Sequence, residues 1–280
     1  MKILDYSNYS RLVAYGDIHG EFARLMYDIR NNVSHHNDEE KNKKPTNNSI
    51  LKKIRKKNNR TDLENSIIIV AGDISLGFNK LEYYNQNLKS LNELLNINNS
   101  HLLFIRGNHD DPSYFHENKI DFSNIHTIDD YTVVLTQNHK TLCVGGAISL
   151  DRSWRITREA IINKYNSETN KKKIYWENEP FAYDENSLIE FKENHVEIDS
   201  VITHTYPRVD RISSKQNQID YWSENDEALI TDLKKESEDI INLYNIMSSV
   251  KENAQEYDFV SYVASFLKIF LFKDISYGTL

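Results

Sequence analysis

The sequence predicts an α/β fold in which a largely parallel central sheet is covered by helices, and three observations carry that prediction. "RLVAY" (11–15), "SIIIVAG" (66–72) and "HLLFIRG" (101–107) are short apolar runs that lead into glycine. Runs of this kind read as buried strands with loops at their C-terminal ends. Phe22, Leu25, Met26 and Ile29 recur at helical spacing between the first two runs, and Leu81, Tyr84, Leu88, Leu91, Leu94 and Leu95 form a second stripe between the next two. The order β-α-β-α-β implies parallel strands joined by crossover helices.

The remaining elements follow in chain order. Residues 31–62 interrupt the rhythm with a polar, Asn/Lys-rich insert, read as a surface loop with a short basic helix near Ile50–Lys57. "YTVVLTQNHKTLCVGGAISL" (131–150) reads as two strands around a turn at Asn138, and "IDSVITHTYP" (198–207) as one more. Ser223 with Asp226 three residues on resembles a helix N-cap, and Leu229, Leu233, Ile240, Tyr244 and Met247 mark one face of the long helix that would follow. A second helical stretch, 252–273, is apolar nearly all round in its later half and needs a surface to pack on. The expected organisation is a core over 1–207 and a helical extension of the same domain over 208–280.

Composition restricts the partners. The net charge is −8, yet residues 41–60 hold nine Lys/Arg and no acid; removing those nine positive charges leaves −17 on the other 260 residues. An acidic body discourages extended, sequence-independent nucleic-acid binding, while the basic loop offers one local contact for a polyanion. The single cysteine, Cys143, excludes an internal disulfide and suits a reducing compartment, so a cytoplasmic location is expected. The first ten residues lack the apolar stretch of a signal peptide, and "YVASFLKIFLF" (262–272) is too short to span a bilayer, so no membrane partner is expected.

The chemistry gathers at the strand ends. The three early runs end in "GDIHG" (16–20), "GDISLG" (72–77) and "GNHD" (107–110), and the late strand ends in "THTYP" (203–207). Asp17, His19, Asp73, Asn108, His109 and His204 would therefore project from the C-terminal edge of the sheet, where ligands of open α/β sheets collect. Mixed oxygen and nitrogen donors suit a borderline divalent ion such as Mn²⁺, Zn²⁺ or Fe²⁺. Asp110 reads as a helix N-cap before "PSYF", with Pro112 in the first turn. Trp154, Trp176 and Trp222 read as core or lid packing rather than substrate stacking, with a pocket rim at Trp176, Glu177, Glu179 and Pro180 as the lesser alternative.

The ordered set GDxHG, GDxxxG, GNHD and a histidine after a late strand resembles the calcineurin-like metallophosphoesterase superfamily. "GGAISLDRSWR" (145–155), "YWENEPFAY" (175–183) and "VITHTYP" (201–207) are similar to an uncharacterised bacterial and phage branch of it. The likeness runs from about residue 11 to 247. It implies an αββα sandwich and a two-metal site, with Mn²⁺ the first expectation. Asp17 and His19 would bind one ion, Asp73 would bridge, and Asn108 and His204 would bind the other. It also implies hydrolysis of phosphomonoesters or small phosphodiesters by a metal-bridging hydroxide. His109 would then steady the equatorial oxygens or protonate the leaving alkoxide. Arg106, Arg152, Arg155 and Arg208 are candidates to grip phosphate oxygens, with Arg106 and Arg152 preferred.

One departure qualifies the implication. The superfamily supplies two further ligands from a late GHxH motif, whereas residues 205–280 contain no histidine and the tail reads "DISYGTL". The chain is read either as cut before that strand or as a natural variant with an incomplete site. Two alternatives to the phosphoesterase therefore stand: a metal-dependent nuclease using the basic loop 41–60, and a catalytically impaired binding or regulatory protein. A Ser/Thr protein phosphatase is disfavoured, because "GDISLGF" lacks the arginine of GDxVDRG.

Overall fold

A computed structural model describes residues 2–31, 63–167, 170–194, 197–205 and 213–250. Strands β2 (Arg11–Tyr15), β3 (Ser66–Ala71), β4 (His101–Ile105) and β5 (Ile125–Thr127) pair in that order, all parallel. A second sheet joins β1 (Lys2–Tyr6), β6 (Thr132–Thr136), β7 (His139–Val144) and β8 (Ser200–Thr203), parallel except for the β6–β7 hairpin. Seven helices accompany them among the described residues: α1 (Phe22–Asn31), α2 (Leu81–Ile97), α3 (Ser113–His116), α4 (Arg152–Lys164), α5 (Glu185–Glu193), α6 (Ser213–Ser223) and α7 (Leu229–Val250).

Alternation along the strands explains the layering. Ile68, Val70, Leu102 and Phe104 face outward onto Leu25 and Ile29 of α1 and Leu88 and Leu91 of α2. Their neighbours Ile67, Ile69, Leu103 and Ile105 face the second sheet and meet Val134, Cys143 and Ile202. On the far side, Leu142, Val144 and Val201 pack on Leu188 and Phe191 of α5 and on Ile240, Leu243 and Met247 of α7. The layers are thus helix, sheet, sheet, helix. Each fully buried Leu, Ile or Phe contributes about 1.5–3 kcal/mol by leaving water. Burial raises the pKa of the Cys143 thiol, as expected of an inert core cysteine.

Several elements differ from the sequence prediction. The layering is not among them: two stacked sheets between helices, one parallel and one mixed, are the αββα sandwich that the resemblance implied. β1 was not expected because "KILDY" is a half-exposed edge strand without a continuous apolar run. Helices α4, α5 and α6 were not expected either; α4 buries only Arg155, so apolar periodicity is silent there. Ser223 does not cap α7: it ends α6, its carbonyl accepts from Asp226 N, and α7 begins at Leu229. The basic run 41–60 with the rest of the insert beyond Asn31, Arg208, and the stretch 252–273 all lie outside the described residues. Among the described residues no helix is long and apolar enough to cross a membrane.

Register places the strand ends level. Tyr15 pairs with Val70, Ala71 with Ile105, and in the other sheet Val144 with Thr203. The loops after β2, β3, β4, β7 and β8 therefore leave the sandwich along one edge.

Candidate metal centre

Two loops there adopt backbone that most residues avoid. His19 and Asp73 have φ of 43° and 48°. Aspartate and histidine are among the few side chains that tolerate this left-handed region, and holding them there costs on the order of 1–3 kcal/mol. The cost is met by ties between loops: His19 N donates to the Asp73 carbonyl at 2.7 Å, and His109 N donates to Asp73 Oδ1 at 2.9 Å. Gly72, at φ 100°, is required twice, since a Cβ would also land on the His204 ring. Gly107 lies so close to the Asp73 backbone that a Cβ there has no space.

Asp110 does not cap a helix; Pro112 occupies the N-cap of α3. Its fully buried carboxylate instead accepts from Ile74 N (3.2 Å), Leu76 N (2.9 Å) and Gly107 N (2.8 Å), clamping the loops after β3 and β4 together. The N-cap expectation fails because two of these three donors, Leu76 and Ile74, lie 34 and 36 residues away in sequence. Burial and the nearby Asp73 push the Asp110 pKa up to about 6, against the pull of the three N–H groups.

Six of the predicted residues converge. One ligand atom each from Asp17, His19 and Asp73 lie within 4.8 Å of one another. His19 Nε2 is 3.7 Å from both Asp17 Oδ2 and Asp73 Oδ2. His204 enters from the other sheet, with Nε2 3.3 Å from Asp73 Oδ1 and Nδ1 3.6 Å from Asp17 Oδ1. Its Nε2 also lies 2.8 Å from Asn108 Oδ1. The His109 ring stands 5.8 Å from that of His19. The His204 side is buried, whereas the His19 side chain is 55 % exposed, so the cluster opens past His19 and His109.

The donor chemistry fits a divalent cation. His204 Nδ1 donates to the Ala71 carbonyl at 2.8 Å, which leaves Nε2 as the nitrogen facing the cluster. Asn108 Nδ2 donates to Ser149 Oγ at 2.8 Å, which turns the amide oxygen the same way. Nε2 and Oδ1 thus approach as two lone-pair atoms beside a carboxylate, and this contact demands positive charge, either a proton on Nε2 or a cation. Consistently, Asp73 and Asp17 raise the His204 pKa against burial, while His204 and His109 hold Asp73 well below the usual carboxylate range against its own burial. Burial, reinforced by Arg155, lowers the His109 pKa despite Asp73, so the ring is a neutral donor near pH 7.

The two preferred arginines do not reach the cluster. Arg106 is buried, its guanidinium donating to Asp130 and to the carbonyls of Asn178, Glu179 and Pro180. Arg152 forks onto Asp226 and pairs with Asp232, tying α4 to the start of α7. Arg155 comes nearer: its Nη1 donates to Ser149 Oγ (2.6 Å) and Glu179 (3.0 Å) and approaches the Asn108 carbonyl (3.4 Å). Glu179 is not a rim residue but is 1 % exposed, with its pKa pushed up to about 7 by burial. Sequence reasoning gave Ser149 no role; only its place in "GGAISLDR" hinted at one.

Glu236 of α7 supports the same edge, its Oε1 accepting from Ile148 N (2.9 Å) and Phe181 N (3.1 Å). Burial raises its pKa from 4.5 to about 7. A folded pKa above the unfolded one means the associated stability is complete below 4.5 and drains away as pH rises through about 7. Glu236→Gln keeps the acceptor oxygen and never ionises. The variant is therefore expected to gain on the wild type by on the order of 1 kcal/mol or more between about pH 4.5 and pH 8. Thermal melts at both pH values, with chelator present, check this; a gap that does not change with pH rejects it.

Comparison with known proteins agrees with this geometry. The sequence pattern of the calcineurin-like phosphoesterases matches residues 10–241. No curated protein matches the chain. Among solved structures, a cold-active protein-tyrosine phosphatase of a psychrophile, Shewanella sp., is similar at 13% identity, with 74% of this chain and 70% of that chain covered and a TM-score of 0.31. Another structure of a cold-active protein tyrosine phosphatase shares 13% identity over 74% of this chain and 68% of that chain, with a TM-score of 0.33. Scores of that size carry no argument about this chain. The family match does: it runs from β2 into α7, well over half of the sequence, and the chain belongs to the calcineurin-like phosphoesterase family.

Proposed function

We propose that this chain hydrolyses phosphomonoesters or small phosphodiesters at the edge cluster, with divalent cations, Mn²⁺ foremost, as cofactors. The family implies metal-dependent phosphoester hydrolysis in general. The observation that carries the narrower reading is the convergence of Asp17, His19 and Asp73 within 4.8 Å, with His204 and Asn108 against them. Asp17 and His19 would hold one ion, Asp73 would be shared, and Asn108 with His204 would hold the second. When bound, such a pair supplies Lewis acidity to the phosphoryl group and brings the pKa of water towards 7.

The chain's own groups do the rest. His204 is fixed by the Ala71 carbonyl and Asn108 by Ser149, so neither must reorganise when substrate arrives. His109, on the open side, can donate an N–H to a phosphoryl oxygen in its neutral form. A phosphate dianion arriving beside it favours the imidazolium, from which a leaving alkoxide takes a proton. Phe78, 37 % exposed and held edge-on by Trp176 at 5.1 Å, lies beside His109 and forms an apolar border to the entrance.

Purified protein given Mn²⁺ is expected to hydrolyse p-nitrophenyl phosphate or its bis ester, and to lose that activity to a chelator. His109→Ala should lower kcat by about 10²–10⁴-fold, the usual worth of a positioned proton donor. Metal-dependent activity indifferent to this substitution would reject His109's role. Metal analysis after dialysis checks the cofactor assignment: a pair of retained ions per chain supports it, and retention of none would reject it.

A further inference from the structure

Leaving an aromatic ring in water forgoes the stabilisation that its burial would bring. Phe78 does so at the mouth of the cluster. It follows Gly77 on the loop after β3, the loop that carries Asp73, and more than a third of its surface is open. Its ring runs nearly parallel to the His109 imidazole, with 25° between planes and 6.4 Å between centroids. Trp176 meets it at 88° and 5.1 Å. Both separations lie in the range over which aromatic pairs attract.

The backbone on either side of Phe78 is pinned. Leu76 N donates to Asp110 Oδ1 at 2.9 Å, and the Leu76 carbonyl accepts from Asp111 N at 2.8 Å. Asn79 N donates to the Tyr84 hydroxyl at 2.9 Å, which in turn donates to the Ser75 carbonyl at 2.7 Å. Gly77, at φ 99°, lies so close to Asp111 and Trp176 that a Cβ there would collide with both. A loop fixed in this way presents its ring already in place, so a ligand landing on it has little left to order.

His109 tells which part of a substrate would meet that ring. A proton donor to the leaving oxygen stands on the leaving-group side of the phosphoryl centre. Phe78 packs against that donor and therefore borders the leaving group. An aliphatic chain there would gain burial alone, whereas a flat ring would gain aromatic contact as well.

We propose that Phe78 is a specificity-determining residue, and that the substrate is a phosphoester whose leaving group carries a planar aromatic ring that stacks on it. The inference rests on the phosphoesterase reading above and on the place of His109 in it.

Benzyl phosphate and cyclohexylmethyl phosphate test it, because both release primary alcohols of similar size and differ in the flatness of the ring. With Mn²⁺, the wild type is expected to favour the benzyl ester about 2–10-fold in kcat/KM, the usual worth of a stacked pair. Phe78→Leu should bring that ratio close to one, and Phe78→Tyr should keep it. A packing role behind His109 alone would slow both esters together and leave the ratio where it was. That result, or a wild type without preference, would overturn the proposal. A wild type that cleaves neither ester would overturn the phosphoesterase reading itself, and this one with it. A nucleoside monophosphate set against the same sugar phosphate without its base identifies the source of the ring. A preference for the nucleotide that Phe78→Leu removes assigns a nucleobase; a preference confined to the benzyl ester assigns a simple aromatic alcohol.

Discussion

Asp73→Asn is expected to reduce Mn²⁺-dependent ester hydrolysis by about 100-fold or more, since losing even a group that orients a ligand commonly costs 10–100-fold. The substitution isolates charge from shape. Asparagine tolerates the φ of 48° at this position as well as aspartate does, and its oxygen can still accept from His109 N. What it removes is the negative charge lying 3.3 Å from His204 Nε2 and 3.7 Å from His19 Nε2. A cation shared between Asp17, His19 and Asp73 then loses half of its carboxylate charge. Steady-state kinetics with metal content measured on the same preparation checks the expectation. Full activity with full metal in the variant would remove Asp73 from the mechanism.

Asp110→Ala is expected to destabilise the fold by about 3–5 kcal/mol, because it strands three buried backbone N–H groups that each cost roughly 1–3 kcal/mol unpaired. Ile74, Leu76 and Gly107 contribute those groups, from two loops that this carboxylate clamps together. Metal binding should weaken as well, since Asp73 sits next to Ile74 and Asn108 next to Gly107. Asp110→Asn keeps one acceptor oxygen and should fall between the two. Denaturant titration orders the three proteins, and a wild-type midpoint for Asp110→Ala would show that the clamp is dispensable.

The cluster was legible because apolar runs mark strand ends without help from the rest of the chain. Once "RLVAY", "SIIIVAG" and "HLLFIRG" are strands of one parallel sheet, Asp17, Asp73 and Asn108 share an edge. What supports the cluster was not legible, because its contacts join residues far apart in the chain. Nothing local says that Arg152 is claimed by Asp226, 74 residues on, or Arg106 by the carbonyls of residues 178 to 180. Asp110 precedes a proline and a short helix, and local pattern alone makes it a cap. Helix α4 eluded apolar periodicity because its inward residue is a cation, Arg155, pairing with buried Glu179.

His204 belongs to one sheet, while Asp17, Asp73 and Asn108 hang from the other, and the imidazole rests where Gly72 leaves room for it. An ion lodged among these four side chains would act as a rivet through the seam of the sandwich. Its binding energy would oppose any sliding of one half past the other, so loading the protein and stiffening it become a single event.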